Sequence, residues 1–161
     1  MSLSFNPVLV LSIVVAVVVG FLGGALTQIG PWYEGLTKPS WNPPNWLFPP
    51  VWTTIYALIV TAVVRTWPSL ETTDARLIFM ALFAVNILLN VAWSGLFFTL
   101  QRPDWSFVEL LALWLSILAL VLFMGAQDRV AGFLMLPYLV WVAFAGWLNF
   151  VIVRLNAPFG T

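Results

Sequence analysis

The side chains with useful chemistry in this sequence are tryptophans, tyrosines and asparagines. The chain has ten tryptophans and three tyrosines but no cysteine and no histidine. This absence excludes thiol nucleophiles, histidine general bases and the usual Cys/His sites for zinc, haem and iron–sulfur clusters. We therefore expect no metal and no cofactor. Indole faces stack well on flat aromatic molecules, and a few amides can orient such a guest.

These aromatic and amide residues recur at helical spacing. Two sets each occupy one helical face: Asn86, Asn90, Trp93 and Phe97, and Tyr138, Trp141, Ala145 and Asn149. Trp52 and Tyr56 form a further i, i+4 pair. Because an asparagine facing lipid would leave its amide unsatisfied, we expect both faces to point inward. For Asn86 we expect an interhelical hydrogen bond, whereas Asn90 and Asn149 fit either that role or ligand contact.

The elements that position these residues are membrane helices. Hydrophobic residues make up 62% of the 161, and only 7% are charged, against about 25% charged in soluble domains. A spanning helix needs about 20 mainly apolar residues, and the charges separate five such runs. We predict an all-α membrane protein, a single five-helix transmembrane domain over residues 1–161, with spans at about 7–28, 46–66, 76–100, 105–127 and 130–154. All charges are then expected in connections or at helix ends.

Charge also bears on localisation and partners. The formal net charge is zero with six basic residues, which argues against a nucleic-acid partner. If side A denotes the face of the membrane where the first span begins, and side B the opposite face, lysine and arginine divide three to three. The positive-inside rule therefore favours neither orientation. We predict an integral multi-pass membrane protein whose partner is the lipid bilayer, without choosing a membrane.

Two further patterns concern packing. Ala16, Gly20 and Gly24 form a small-residue stripe that predicts close helix approach, within the bundle or between protomers. The segment from Gln28 to Asn45, on side B, is rich in proline, tryptophan and tyrosine. Proline restricts the backbone, so we expect this first loop to form a semi-rigid lid over the side-B end of the bundle. The alternative is an interfacial loop whose tryptophans anchor at the headgroups, which we favour for Trp32.

Helix depth places the aromatic and amide residues beneath this lid. At 1.5 Å per residue, Trp52 lies about 9 Å from side B, and Asn90 and Trp93 lie within about 15 Å of it. Asn149 lies near side B and Trp141 near the middle of the membrane. We therefore expect indoles and amides from three helices to converge in one chamber.

Several of these residues carry a family resemblance. The motif Trp41-Asn42-Pro43-Pro44, followed by Trp46, Phe48-Pro49 and Trp52, resembles the signature of the TspO/MBR family. This family comprises the bacterial tryptophan-rich sensory proteins and the mitochondrial translocator proteins. The resemblance continues in Asn90-x-x-Trp93, in Pro137 to Trp141, and in Leu148-Asn149-Phe150. It covers essentially the whole chain.

The resemblance implies a five-helix bundle, commonly a homodimer, with a pocket under the first loop that binds porphyrins and, in animal members, cholesterol. By resemblance, Trp52, Tyr56, Asn90 and Trp141 line this pocket. Our full set of candidate ligand-binding residues is Trp41, Asn42, Trp46, Trp52, Tyr56, Asn90, Trp93, Tyr138, Trp141, Ala145 and Asn149. The family's sterol motif requires a basic residue soon after the tyrosine. Here none follows Tyr138 before Arg154, so sterol binding is not predicted from it.

Three functions follow as hypotheses. The first is a protein that binds porphyrins or other tetrapyrroles and acts in their sequestration, transport or signalling of stress, oxygen or light. The second, implied by the resemblance, is an enzyme that degrades protoporphyrin in light, with Trp52 and Trp141 as redox-active indoles. The third is a small-solute transporter, disfavoured because no charge is expected mid-span. A porphyrin's propionates would prefer the side-B end, near Lys38 or Arg102.

Overall fold

The computed structural model describes residues 6–159, and no β-strand occurs among them. The helices are α1 (Pro7–Leu26), α2 (Pro31–Gly35), α3 (Phe48–Thr66), α4 (Thr73–Ser94), α5 (Pro103–Gln127) and α6 (Arg129–Asn156). Short 3₁₀ turns flank α3 at Asn45–Leu47 and Trp67–Ser69, and α4 continues as a π-helical turn, Gly95–Thr99. With these extensions, all helices except α2 are long and apolar enough to cross a membrane. The predicted all-α bundle of five membrane helices is confirmed.

Polar caps set where the spanning helices begin. The side chain of Asn6 accepts hydrogen bonds from the first backbone N–H groups of α1, Thr72 does so for α4, and Asp128 for α6. Proline stands in the first turn of α1, α3 and α5, where its missing N–H has no helical partner to lose. The connections from α3 to α4, from α4 to α5 and from α5 to α6 are short, so these successive helices run antiparallel.

Asp128 alone separates α5 from α6 and ties this turn to α3. Its carboxylate lies 2.9 Å from the guanidinium of Arg65 and accepts from the N–H groups of Val130 and Ala131. Partial desolvation acts to raise the pKa of Asp128, but these hydrogen bonds and Arg65 outweigh it and hold the pKa below its ordinary value. Beyond the turn, a Cβ on Gly132 would lie 2.7 Å from the Cα of Gly125, so the two helices pack backbone to backbone.

The core is built around α5, whose residues at heptad spacing are buried against α3, α4 and α6. They are Leu110, Leu113, Ile117, Leu120 and Met124. By contrast, Val19 is the one buried residue of α1. Helix α1 thus covers the bundle loosely instead of forming part of its centre. Spaces between α1 and the remaining helices are the result.

Glu109 corrects the expectation that every charge lies at a helix end. Because α5 begins at Pro103, Glu109 lies about 9 Å into the helix. Neither of its carboxylate oxygens is exposed, and neither has a hydrogen-bond partner in the part of the chain that the structure describes. The sequence places Glu109 just before an uncharged run, but the proline that starts the helix lies well upstream.

Candidate functional site

A chamber of about 500 Å³ lies in the side-B half of the bundle, within the usual size range of ligand pockets, roughly 300–1,000 Å³. Each spanning helix contributes to its wall: Gly24 from α1, Trp52 from α3, Asn90 from α4, Leu113 from α5 and Ala145 from α6. Ile29 and Tyr33 from the first loop also line it. We refer to this space as the side-B chamber.

Aromatic rings form two walls of the side-B chamber. On α3, the ring centroids of Trp52 and Tyr56 are 5.5 Å apart at an angle of 31°, and Trp52 meets Tyr138 edge-on at 6.1 Å. On α4, Trp93 stacks on Phe97 at 5.3 Å. Such ring pairs hold each indole in a fixed orientation. The chamber therefore presents preorganised aromatic surface to a guest.

A hydrogen-bonded chain of polar side chains closes the inner end of the chamber. Asn90 Nδ2 donates to the hydroxyl of Tyr138 at 3.0 Å, and that hydroxyl donates to Asn86 Oδ1 at 3.4 Å. Asn86 Nδ2 in turn donates to Ser116 Oγ at 2.9 Å. We call these four residues the polar floor; it links α4, α5 and α6. The interhelical role expected for Asn86 is confirmed, and Asn90 both joins the floor and lines the chamber.

Asn149 holds one aromatic wall in place from behind. Its Oδ1 accepts from Trp93 Nε1 at 3.2 Å and from Ser106 Oγ at 2.9 Å, and its Nδ2 donates to the carbonyl of Pro103 at 2.8 Å. The side chain is 1% exposed. Of the two roles left open for Asn149, the structure shows interhelical hydrogen bonding.

The first loop is pinned to the bundle. Thr37 and the Asn156 amide at the end of α6 exchange two hydrogen bonds of 2.8 Å. Tyr33 packs against Phe98 with ring centroids 5.5 Å apart. Burial raises the pKa of the Tyr33 hydroxyl, while a contact with Asn42 acts less strongly in the opposite direction. The loop thus roofs the chamber as an ordered lid.

Comparison with known proteins bears on this architecture. The model of the TspO/MBR family matches residues 12–155. The chain belongs to the TspO/MBR family. It is 40% identical over 150 residues to the tryptophan-rich protein TspO of Chlorobaculum tepidum, which covers 92% of this chain and 95% of that protein.

Two further TspO/MBR relatives are also similar over most of their length. A tryptophan-rich sensory protein of Cereibacter sphaeroides is 37% identical over 133 residues, covering 83% of this chain and 82% of that protein. The human translocator protein is 34% identical over 126 residues, covering 78% of this chain and 75% of that protein. The relatives thus include bacterial and animal proteins.

The candidate ligand-binding residues predicted from the sequence divide into groups in the structure. Those that line the side-B chamber are Trp52, Tyr56, Asn90, Trp93 and Ala145. Tyr138 forms the floor, Asn149 lies behind the wall, and Asn42 donates to the adjacent Pro43 carbonyl in the loop. Trp41 is 44% exposed and packs on Phe144, and Trp46 is 71% exposed. The exposure of Trp46 is typical of a headgroup anchor.

Trp141 does not line the side-B chamber. The inward face of α6 runs through Tyr138, Val142 and Ala145 at i, i+4, i+7, and Trp141 lies beside this face. Its ring lines an outward groove between α3 and α6 and meets Phe48 edge-on at 5.8 Å. Phe48, which does line the chamber, therefore stands between Trp141 and the cavity.

Several chamber residues were not predicted from the sequence, among them Tyr33, Phe48 and Phe98. For α1, the sequence did contain a pattern that marks the chamber wall, because the small-residue stripe includes Gly20 and Gly24. A Cβ on Gly20 would lie 3.2 Å from the ring of Tyr56, whereas one on Gly24 would meet no atom within 4 Å. Within the chain, Gly24 leaves room in the chamber instead of allowing close helix packing. Gly20 does allow a close approach, by the Tyr56 ring.

Proposed function

We propose that this TspO/MBR protein binds a tetrapyrrole in the side-B chamber and acts in tetrapyrrole sequestration, transport or signalling. The observation that carries the proposal is a lidded chamber of about 500 Å³ with Trp52 and Trp93 in its walls and Asn90 at its inner end. A flat conjugated ring buries large area against indoles. Amide groups at one end of an otherwise apolar cavity can orient it.

The polar groups that a tetrapyrrole would find are few and specific. The hydroxyl of Tyr56 and the Oδ1 atom of Asn90 have no hydrogen-bond partner among residues 6–159, although both side chains line the chamber. The hydroxyl can donate one hydrogen bond to a guest and the Oδ1 atom can accept one, and neither group carries a charge. The charged propionates of a porphyrin would therefore point away from this inner end, towards side B.

Lys38 is the cation best suited to a propionate. Its ammonium group contacts the backbone carbonyls of Tyr33 and Leu36 and lies 4.3 Å from the centroid of the Tyr33 ring. These partners are uncharged, and Lys38 forms no ion pair with a carboxylate of residues 6–159. Arg102, in contrast, forms an ion pair with Asp104. We expect Lys38→Gln to weaken binding of protoporphyrin more than binding of its dimethyl ester, which lacks the propionate charges. Arg102→Gln should change the affinities for the two compounds to the same extent.

The first test is saturable quenching of tryptophan fluorescence by protoporphyrin in lipid nanodiscs. Ala145→Leu adds carbon atoms to the chamber and should weaken the affinity about tenfold, equivalent to 1.4 kcal/mol. Ala143→Leu is the matched control, since Ala143 is exposed on the outer side of the same helix. Equal affinities for the two variants, at equal thermal stability, would place the porphyrin elsewhere.

Light-dependent degradation of protoporphyrin is the alternative function. It calls on Trp52 and Trp141 together, and only Trp52 reaches the chamber. If the protein binds protoporphyrin without degrading it, the absorption spectrum of the bound porphyrin should persist during illumination in the presence of oxygen. Catalytic loss of the spectrum, abolished by Trp141→Phe, would favour the enzyme.

The homodimer implied by the resemblance stays a prediction, which light scattering of the purified protein can test.

A further inference from the structure

A second cavity lies in the other half of the bundle. It has a volume of about 320 Å³ and lies between α1, α3 and α4, near side A. Its walls include Val15 from α1, Ile59 and Val63 from α3, and Phe79 and Phe83 from α4. Tyr56, Asn90 and Tyr138 bound its inner end, so the polar floor and the Tyr56 ring separate it from the side-B chamber. We call it the side-A cavity.

Few polar atoms face the side-A cavity, and most of them are paired within the protein. Ser12 Oγ donates to the carbonyl of Val8 at 2.6 Å. The amide of Asn86 and the hydroxyl of Tyr138 bond to one another and to neighbours in the polar floor. The cavity therefore offers almost entirely hydrocarbon surface. Apolar cavities of this kind stay free of water and accept apolar guests, which points to an aliphatic occupant.

The side-A cavity is continuous with the lipid-facing surface. Leu11 of α1 lines it and is 65% exposed, and Met80 and Ala84 of α4 line it and are also exposed. Helix α1 buries only Val19 against the bundle, so the gap between α1 and α4 is not sealed by packing. The hydrocarbon that reaches this gap is that of the bilayer in which the five spans lie.

We infer that the side-A cavity holds an acyl chain of a membrane lipid. The chain enters between α1 and α4, lies along Ile59 and Phe83, and ends against Tyr56 and the polar floor. The lipid headgroup remains at side A. This site does not depend on the proposed tetrapyrrole site, because the two cavities share only Tyr56 and Asn90, at the partition between them, and the side-A cavity opens in the other half of the membrane.

The inference is tested with a phospholipid that carries a photoreactive diazirine near the end of one acyl chain. After irradiation of the intact protein in nanodiscs, peptide mapping should find adducts on Ile59 and Phe83, which line the cavity, as well as on Leu88, which is exposed. Adducts confined to outward residues such as Leu88 would overturn the inference.

A matched pair of variants on α4 supplies the control. Ala84→Leu narrows the cavity and should abolish adducts on Ile59 and Phe83, whereas Ala81→Leu, at an exposed position that does not line the cavity, should leave them unchanged. Equal thermal midpoints show that both variants fold. If wild-type adducts on Ile59 and Phe83 arise only when the protein is diluted in lipid, a second copy of the chain fills the cavity, and the inference fails.

Discussion

Replacing Asn149 with alanine tests how the side-B chamber is held together. The change removes three hydrogen bonds, to Trp93, Ser106 and Pro103. At about 0.6 kcal/mol for each interhelical bond in a membrane, the loss is at least about 2 kcal/mol. The Ser106 hydroxyl, which shares its one proton between Asn149 and the Pro103 carbonyl, can then donate to Pro103 alone, but the indole N–H of Trp93 loses its partner, which adds about 1–3 kcal/mol. We expect Asn149→Ala to lower the free energy of unfolding by about 3–5 kcal/mol.

The assay is a double-mutant cycle with Trp93→Phe, with unfolding followed by circular dichroism during titration with SDS. Because Trp93→Phe removes both the hydrogen bond and the indole N–H that Asn149→Ala leaves unpaired, the cycle should give a coupling energy of about 1.5–3.5 kcal/mol. Asn149→Ala should also weaken protoporphyrin binding, although Asn149 does not line the chamber, since Trp93 loses its fixed orientation. A destabilisation below about 0.5 kcal/mol, the size of an ordinary surface substitution, or purely additive effects, would refute this account.

Three more predictions concern stability, each measured as a thermal midpoint in detergent. Gly132→Ala should destabilise by about 1–3 kcal/mol, because its Cβ would strike the backbone of α5, whereas Gly23→Ala, with no atom within 4 Å, should not; equal midpoints would disprove the close approach. Glu109→Met should stabilise by about 1–3 kcal/mol, since it removes two buried oxygens that have no partner within residues 6–159; a lower midpoint would mean that the carboxyl has a partner. Asp128→Ala should destabilise at neutral pH. Because folding lowers the pKa of Asp128, the stability that its carboxylate contributes is present above the ordinary pKa of about 3.9 and is lost as pH falls through the lowered value. If the difference in thermal midpoint between wild type and Asp128→Ala stayed constant down to that pH, the ion pair and the cap would not be the source of the stability.

The sequence predicts the spans because charges interrupt long apolar runs, and bilayer thickness fixes the length that a run needs. It also predicts the inward face of α4, because Asn86 and Asn90 cannot face lipid without losing hydrogen bonds. In both cases a strong local penalty excludes the alternatives. The structure reflects that penalty in the polar floor.

The rotation of α6 could not be predicted in the same way. Tyr138, Trp141, Ala145 and Asn149 share a broad face, but packing against α3 and α5 decides which edge of that face meets the chamber. An indole side chain can be accommodated in the chamber, in a groove or at the headgroups. No energetic penalty therefore determines from the sequence which way Trp141 faces. The same freedom explains why Trp46 is exposed, although the motif around it is part of the family resemblance.

The polar floor has a consequence for traffic across the bilayer. A solute admitted from side B meets a closed partition halfway, made by Asn90, Tyr138 and Asn86. To continue to side A it would have to break both hydrogen bonds at once and then traverse the hydrocarbon space beyond. Leaving by the entrance, or sideways between helices, breaks neither bond. With this partition intact, a guest of the proposed site would exchange with the side-B leaflet alone, as in a vestibule and not a conduit.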